Sequence, residues 1–164
     1  MKYKKYDRLE TIEYAKKWAL ARNSQYYNFD NVGGDCTSFA SQCIYAGCKV
    51  MNYTKDYGWY YNNGNSKSPS WSGVEYLYQF LINNKGIGPQ AIQTTQNKIE
   101  IGDIAQLSFD GKKFEHTLVI VKIENKFTLR GIKIASHTFD SFEKSISEYT
   151  FQEIRWLHVE RVGI

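Results

Sequence analysis

Apolar side chains recur every three or four residues in the first half of the chain, which is the spacing of amphipathic helices. The first such segment follows a capping box at Asp7 and Glu10 and predicts a helix over residues 8–22. A second segment begins at Cys36, and Gly47 predicts the end of this helix because glycine commonly occupies the position after a helix terminus. The first half of the chain is therefore predicted to be helical.

The apolar spacing changes after residue 100. Before that point, a long loop over residues 52–71 precedes a third predicted helix, which starts at a capping box of Ser72 and Glu75 and stops before residues 83–86. Apolar and polar residues then alternate, and Asp110-Gly111 is typical of a hairpin turn. The predicted strands cover residues 102–109, 116–123, 127–135 and 153–162. Helices followed by antiparallel strands predict an α+β fold, with N-terminal helices packed on a C-terminal antiparallel sheet.

Composition and charge narrow the classes of protein. A chain of 164 residues with 42% hydrophobic residues is expected to form a single domain over residues 1–164. The 21 basic and 17 acidic residues are scattered, so we expect no nucleic-acid partner, although a net charge of +4 suits a polyanionic bacterial wall. No apolar run approaches the roughly 20 residues of a membrane span, and the charged N-terminus lacks a signal-peptide core. We therefore expect neither membrane insertion nor a signal peptide in this chain.

Cysteine placement gives the first chemical signal. Cys36, Cys43 and Cys48 are odd in number and form no CxxC pair, so a disulfide scaffold is excluded and at least one thiol is free. Cys36 follows Gly33-Gly34-Asp35 at the start of a predicted helix, where free amides and the helix dipole favour a thiolate. We therefore expect a lowered pKa for Cys36, whereas Cys43 lies in the apolar stripe and is expected to be inert.

Two histidines are predicted to complete a site with Cys36. His116 opens one strand and His137 ends the next, and these two positions are adjacent in an antiparallel hairpin. A thiol, an imidazole and a third polar group match the roles of nucleophile, general base and orienting residue. Zinc binding by the same three residues is the alternative, but their spacing lacks paired ligands, so we expect no metal and no cofactor. His158, in the middle of a strand, is expected to be structural.

A set of segments spread over about residues 7–160 resembles a known family. These segments are Gly33–Cys43, Gly47, Trp59–Tyr61, Ser70-Trp71, Gly102-Asp103, His116–Val121 and Ser136–Asp140. They are similar to the bacterial "putative amidase" domain family, which looks like a branch of the papain-like superfamily beside the NlpC-type cell-wall peptidases and the CHAP amidases. The resemblance implies a papain-like (NlpC-like) fold.

The resemblance also implies roles and a substrate. Cys36 would be the nucleophile and His116 the general base and then acid. His137 would orient His116, with Asp140 as a competing orienting residue. The implied activity is hydrolysis of peptidoglycan amide bonds by a cysteine amidase or peptidase, as in endolysins. Such an enzyme would act on the bacterial cell wall, outside the cell or after release by lysis, and a wall-binding domain outside this chain would fit that activity.

Further residues are candidates for binding substrate. The Cys36 amide is expected to form half of an oxyanion hole, and Tyr27 is the preferred second donor from the preceding loop. Asp35 is expected either to align the substrate or to cap the Cys36 helix. Trp59 and Trp71 either line a groove for sugars and peptide stems or pack within their own loop. A transpeptidase or deamidase with the same triad, or a non-catalytic wall-binding module, is the alternative function.

Overall fold

The computed structural model describes residues 1–164 and contains four α-helices and nine β-strands. The helices are α1 (Arg8–Trp18), α2 (Cys36–Cys48), α3 (Pro69–Ser72) and α4 (Val74–Asn83). The strands are β1 (Tyr3–Lys4), β2 (Tyr61–Asn63), β3 (Ser66–Lys67), β4 (Gly88–Thr94), β5 (Ile104–Ser108), β6 (His116–Ile123), β7 (Ile132–Ser136), β8 (Ser141–Ser145) and β9 (Glu153–Gly163). No helix has the length and apolar character required to cross a membrane.

Seven of the strands form one antiparallel sheet, and β2 and β3 form a separate hairpin. The long strand β9 has β4 along one edge and β5, followed by β1, along the other. Strands β6, β7 and β8 continue outward from β5 in chain order. All of these pairings are antiparallel, and all four helices precede every long strand, which confirms the predicted α+β fold.

The two faces of the sheet bury different hydrophobic cores. The helices cover one face, where Val119 of β6 and Ala135 of β7 contact residues of α2 such as Phe39. Leu118 and Ile134, one position away on the same two strands, point into a second core under the connecting segments. This division follows from the two-residue period of a β-strand, which directs successive side chains to opposite faces.

Helix boundaries differ from the prediction where tertiary contacts intervene. Gly47 lies inside α2 rather than beyond its end. Glycine is required at this position because a Cβ atom would collide with Thr11 of α1 and with the backbone of Asp7, the residue before α1. The left-handed residue that ends α2 is Lys49, with a φ of 56°. Helix α1 stops at Trp18, four residues earlier than predicted. The predicted capping box at Ser72 is also wrong, because α3 ends there and α4 starts after an extended glycine with no side-chain cap.

Several strands were absent from the prediction. Strand β4 begins with Gly-Pro and does not alternate in burial, yet it pairs with β9 along seven residues. Strand β8 contains a bulge against β7, and both short strands β2 and β3 lie within the predicted loop over residues 52–71. Strand β7 starts at Ile132 rather than residue 127, because a short 3-10 turn over residues 129–131 precedes it. Hydrogen bonding to a neighbouring strand, rather than the local sequence pattern, therefore determines where these strands form.

Candidate active site

Cys36 is the first residue of α2, as predicted. Gly33 and Gly34 precede it with φ values of 84° and 96°, and this left-handed turn brings the chain sharply into the helix. The amides of the first helical turn have no acceptor within the helix, so they are available to an anionic group beside Cys36. Asp35, the residue before the helix, is buried and does not cap it through its side chain.

Cys36 and His116 line the same cavity, which has a volume of about 320 Å³. The start of α2 meets the start of β6 at this point, and the hydroxyls of Thr37 and Thr117 hydrogen-bond at 2.8 Å across the junction. The backbone N–H of Thr117, next to His116, is close enough to the Cys36 sulfur to favour its thiolate form. The structure thus brings together the thiol and the imidazole that the sequence placed 80 residues apart.

A serine that the sequence analysis did not select is the partner of His116. The Ser136 Oγ lies 3.2 Å from His116 Nε2 and 2.7 Å from the carbonyl oxygen of His137. A hydroxyl has one hydrogen, and the shorter contact with the carbonyl takes it. Ser136 therefore accepts a hydrogen bond from His116 Nε2, so the neutral ring carries its proton on Nε2 and leaves Nδ1 free to accept one.

The pKa values of Cys36 and His116 do not favour the thiolate that the sequence predicted. Burial raises the pKa of Cys36, despite hydrogen bonds from the Thr117 backbone and from Thr37 that favour the thiolate. Burial, with a smaller contribution from the charge of Lys144, lowers the pKa of His116 to about 4. At neutral pH the free site therefore contains a neutral thiol and a neutral imidazole. The expected lowering of the pKa of Cys36 by the helix terminus is wrong, because burial outweighs it.

His137 does not contact His116 through its ring. Its Nδ1 lies 2.6 Å from Asp35 Oδ2 and its Nε2 lies 2.8 Å from the Trp18 carbonyl oxygen, while the ring stacks on Phe39 at 4.0 Å. The His137 ring therefore bridges the carboxyl group before α2 and the end of α1. His137 shares the helix-covered face of the sheet with Ala135, whereas His116 shares the opposite face with Leu118. The expectation that the rings are partners is wrong for this reason.

Asp140, the competing orienting residue, also lies away from His116. Its two carboxylate oxygens accept hydrogen bonds of 2.8 and 2.9 Å from Arg22. Arg22 also binds Asp30, and these contacts with the guanidinium hold the pKa of Asp140 below its usual range against the opposing effect of burial. Asp140 therefore belongs to an ion-pair cluster near the surface.

The predicted substrate-binding residues do not line the Cys36 cavity. Trp59 and Trp71 are fully buried and pack against each other with their ring centroids 5.1 Å apart. Tyr27 is half exposed and packs edge-on against Phe29. Asp35 contacts His137 instead. The tryptophans neither line a groove nor pack only within their own loop, because both lie in the helix-side core, where Trp59 donates to Ser41 of α2 and stacks on Phe80 of α4. None of the four predicted residues lines the cavity beside the thiol.

Other side chains line this cavity instead. Lys144 lies with its Nζ 4.2 Å from the ring centroid of Tyr149, and Phe109, Phe139 and Glu115 complete much of the wall. Strand β8 and the segment after it supply part of this lining. The sequence around β8 has no alternating pattern that predicts a strand, so no local signal marks these residues.

The Gly102-Asp103 motif and His158 contact each other away from the Cys36 cavity. Asp103 is fully buried and accepts hydrogen bonds from Arg8 at 2.7 Å and from the backbone of Val159 at 3.0 Å. His158 Nδ1 lies 2.8 Å from the same carboxylate, as expected for a structural histidine. The Gly102-Asp103 motif thus joins α1 to β9. No group of three or more His, Cys, Asp or Glu side chains is arranged to hold a metal ion.

The buried pair of Asp35 and His137 leads to a stability prediction. We expect His137→Ala to lower the free energy of unfolding by about 2–4 kcal/mol, because it removes the 2.6 Å contact with the buried Asp35 carboxyl group and the ring that stacks on Phe39. Urea unfolding followed by circular dichroism measures this. As a control, Asp30→Asn removes an exposed partner of Arg22 and should cost less than about 1 kcal/mol. A His137→Ala variant of normal stability that had lost activity would instead favour the orienting role.

Ser136 is expected to be a positioning residue. We expect Ser136→Ala to lower kcat by about tenfold or more, because His116 then loses the acceptor that holds its proton on Nε2. Ring nitrogen chemical shifts measured by NMR should show a mixture of tautomers in the variant and one tautomer in the wild type. Ser141→Ala is the matched control, since the Ser141 hydroxyl donates to the Phe139 carbonyl and makes no hydrogen bond with His116. Unchanged nitrogen shifts in Ser136→Ala would contradict this role.

Comparison with known proteins identifies the family. The sequence profile described as "Putative amidase domain" matches residues 5–159. The uncharacterized protein YhbB of Bacillus subtilis (strain 168) is 33% identical over 120 residues, which cover 71% of this chain and 37% of YhbB. The uncharacterized protein YjcM of the same strain is 26% identical over 109 residues, 66% of this chain and 24% of YjcM. No solved structure matches. The family match spans nearly the whole chain, so this chain belongs to the "putative amidase domain" family.

Proposed function

We propose that this chain is a cysteine amidase that hydrolyses amide bonds of bacterial peptidoglycan. The observation that carries the proposal is the pairing of Cys36 with His116 in one cavity, with His116 Nδ1 free to accept a proton. A buried thiol at the start of a helix, beside a neutral imidazole, is an arrangement suited to nucleophilic catalysis. Ser136 takes the place that His137 held in the predicted triad.

The first chemical step is attack of the Cys36 sulfur on the amide carbonyl. Because both groups start neutral, the thiol proton moves to His116 Nδ1 as the carbon–sulfur bond forms. The carbonyl oxygen becomes an oxyanion, and amides of the first turn of α2 are placed to stabilise it. His116, now an imidazolium, then donates its proton to the leaving amine as the carbon–nitrogen bond breaks. The products are a free amine and a thioester on Cys36.

The second step releases the acyl group. Water loses a proton to His116 Nδ1 and attacks the thioester carbonyl, and the thiolate of Cys36 leaves and takes the proton back. Ser136 keeps the imidazole in one orientation through both steps. The same thioester would react with an amine in a transpeptidase, so the acyl acceptor distinguishes these two activities.

Three features support peptidoglycan as the substrate class. The family description names an amidase, the sequence resembles cell-wall hydrolases, and the net charge of +4 suits an anionic wall. The chain spans 37% and 24% of the lengths of the two curated relatives that it matches.

Product analysis tests the proposal. Purified peptidoglycan is incubated with the chain, and the soluble fragments are identified by mass spectrometry. We expect new amine and carboxylate ends in equal number, with one bond type cleaved. Fragments joined by new amide bonds would indicate a transpeptidase, and conversion of a side-chain amide to an acid without fragmentation would indicate a deamidase. Binding to peptidoglycan without any product would indicate a non-catalytic wall-binding module.

A further inference from the structure

A second cavity, larger than the one beside Cys36, lies elsewhere on the protein. It has a volume of about 650 Å³, which is within the usual range for ligand sites, and shares no lining residue with the Cys36 cavity. Its wall is formed by the loop over residues 52–58, the start of α3, one side of α4 and residues 83–86. This cavity has no role in the proposed reaction.

Two tyrosines that line this cavity are unusually exposed. Tyr57 is 83% exposed and Tyr76 is 63% exposed, and both line the cavity. Large exposed aromatic side chains around a cavity are typical of ligand-binding surfaces. A tyrosine offers a flat apolar face together with a hydroxyl, and it therefore suits a ligand that has both C–H surfaces and polar groups.

The other groups that face the cavity indicate a polar and uncharged ligand. The side chains of Thr54, Asp56 and Lys85 make no hydrogen bond or ion pair within the protein, so their polar groups remain available. One carboxylate and one ammonium cancel in net charge, which argues against a polyanion. The lining places amides and hydroxyls beside the aromatic rings of Tyr57, Tyr76 and Phe80, so a matching ligand needs apolar faces as well as polar groups.

The wall of the cavity is held in place by buried amides and a hydroxyl. Asn52 donates to the Ile87 carbonyl at 2.8 Å, and Asn84 donates to the Pro89 carbonyl at 3.0 Å. The Ser70 hydroxyl donates to a backbone carbonyl of the facing loop at 2.6 Å. These contacts join the segments on either side of the cavity. Because the wall is preformed, little conformational entropy is lost when a ligand binds.

We propose that this cavity is a saccharide-binding site in which Tyr57 and Tyr76 stack on sugar rings. Sugars combine flat C–H faces with hydroxyl and amide groups and carry no net charge, and this chemistry matches the tyrosines and the free polar groups of the wall. The saccharide class rests on the cavity itself. Naming the N-acetylated glycan strand of peptidoglycan as the ligand rests on the proposed function.

The test uses the full chain carrying Cys36→Ala, so that binding is measured without turnover. The probe is the β-1,4-linked tetramer of N-acetylglucosamine, which contains no peptide, and binding is followed by NMR titration. We expect saturable binding with a dissociation constant of about 1 mM or below, and shifts concentrated on the cavity residues. Tyr57→Ala and Tyr76→Ala should each raise the dissociation constant about tenfold. Phe127→Ala, at an exposed aromatic outside the cavity, should leave it unchanged.

The outcomes separate this proposal from the proposed function. Saturable binding that both tyrosine variants weaken supports the saccharide site, whether or not the chain cleaves peptidoglycan. Absence of saturable binding overturns the site, even if cleavage is observed. Binding that neither tyrosine variant changes also overturns it, because the tetramer would then occupy another surface.

Discussion

Replacement of Cys36 by alanine is expected to abolish amide hydrolysis with little loss of stability. The Cys36 sulfur is the atom that forms the acyl intermediate in the proposed mechanism, so the rate should fall on the order of 10⁴-fold or more. Release of soluble fragments from peptidoglycan measures the activity, and urea unfolding measures the stability. The site is 6% exposed and the alanine is smaller than the thiol, so no steric clash is introduced.

Cys43→Ala is the matched control for this variant. Cys43 lies on the same helix, is fully buried in the helix-side core and is remote from the cavity lining. The Cys43→Ala variant should keep its activity and lose about 1 kcal/mol of stability through lost packing.

Thiolate absorbance in the ultraviolet should also be the same for the wild type and Cys36→Ala at pH 7, since burial raises the pKa of Cys36. Wild-type rates in Cys36→Ala would remove the proposed mechanism.

Replacement of His116 by glutamine is expected to lower kcat by about 10²- to 10⁴-fold. Glutamine keeps much of the side-chain volume and polarity but cannot accept the thiol proton, which is the role given to Nδ1. His158→Gln is the control, because this histidine hydrogen-bonds Asp103 outside the cavity and should affect stability rather than rate. Retention of more than half of the wild-type kcat by His116→Gln would contradict its assignment as general base.

The pH dependence of His116 adds a second measurement to this prediction. With a pKa of about 4, the imidazole is neutral and able to act as a base above that pH, so activity should fall only as pH drops through 4. Between pH 6.5 and 4 the unfolded chain binds a proton at this residue that the folded chain does not. Stability should therefore decrease as pH falls through this window, by up to about 3 kcal/mol. His116→Gln should reduce this decrease, and an identical pH dependence in the variant would contradict burial of a neutral imidazole.

Local patterns were sufficient to locate the main chemical groups. The turn at Gly33 and Gly34 followed by an apolar stripe placed Cys36 at a helix start, and alternation placed His116 at a strand start. Both positions depend on residues close in sequence, so the sequence predicts them well. The order of helices and strands likewise predicted the α+β class. Strands β4 and β8 were missed because pairing with a neighbouring strand, rather than their own pattern, stabilises them.

The contacts of these groups required the tertiary structure. Whether His137 or Ser136 reaches His116 depends on the strand face, and a shift of one residue in a strand reverses the face. The sign of the pKa change at Cys36 also depends on burial, which results from packing of segments distant in sequence. The loop over residues 52–71 shows the same difference. Its aromatic residues are visible in the sequence, but only the tertiary packing determines that its tryptophans are buried and that Tyr57 is exposed. The sequence by itself determined which residues could react and on which elements they lie, because these follow from local backbone preferences. Only the tertiary structure decided their partners and protonation, because strand register and burial depend on the whole chain.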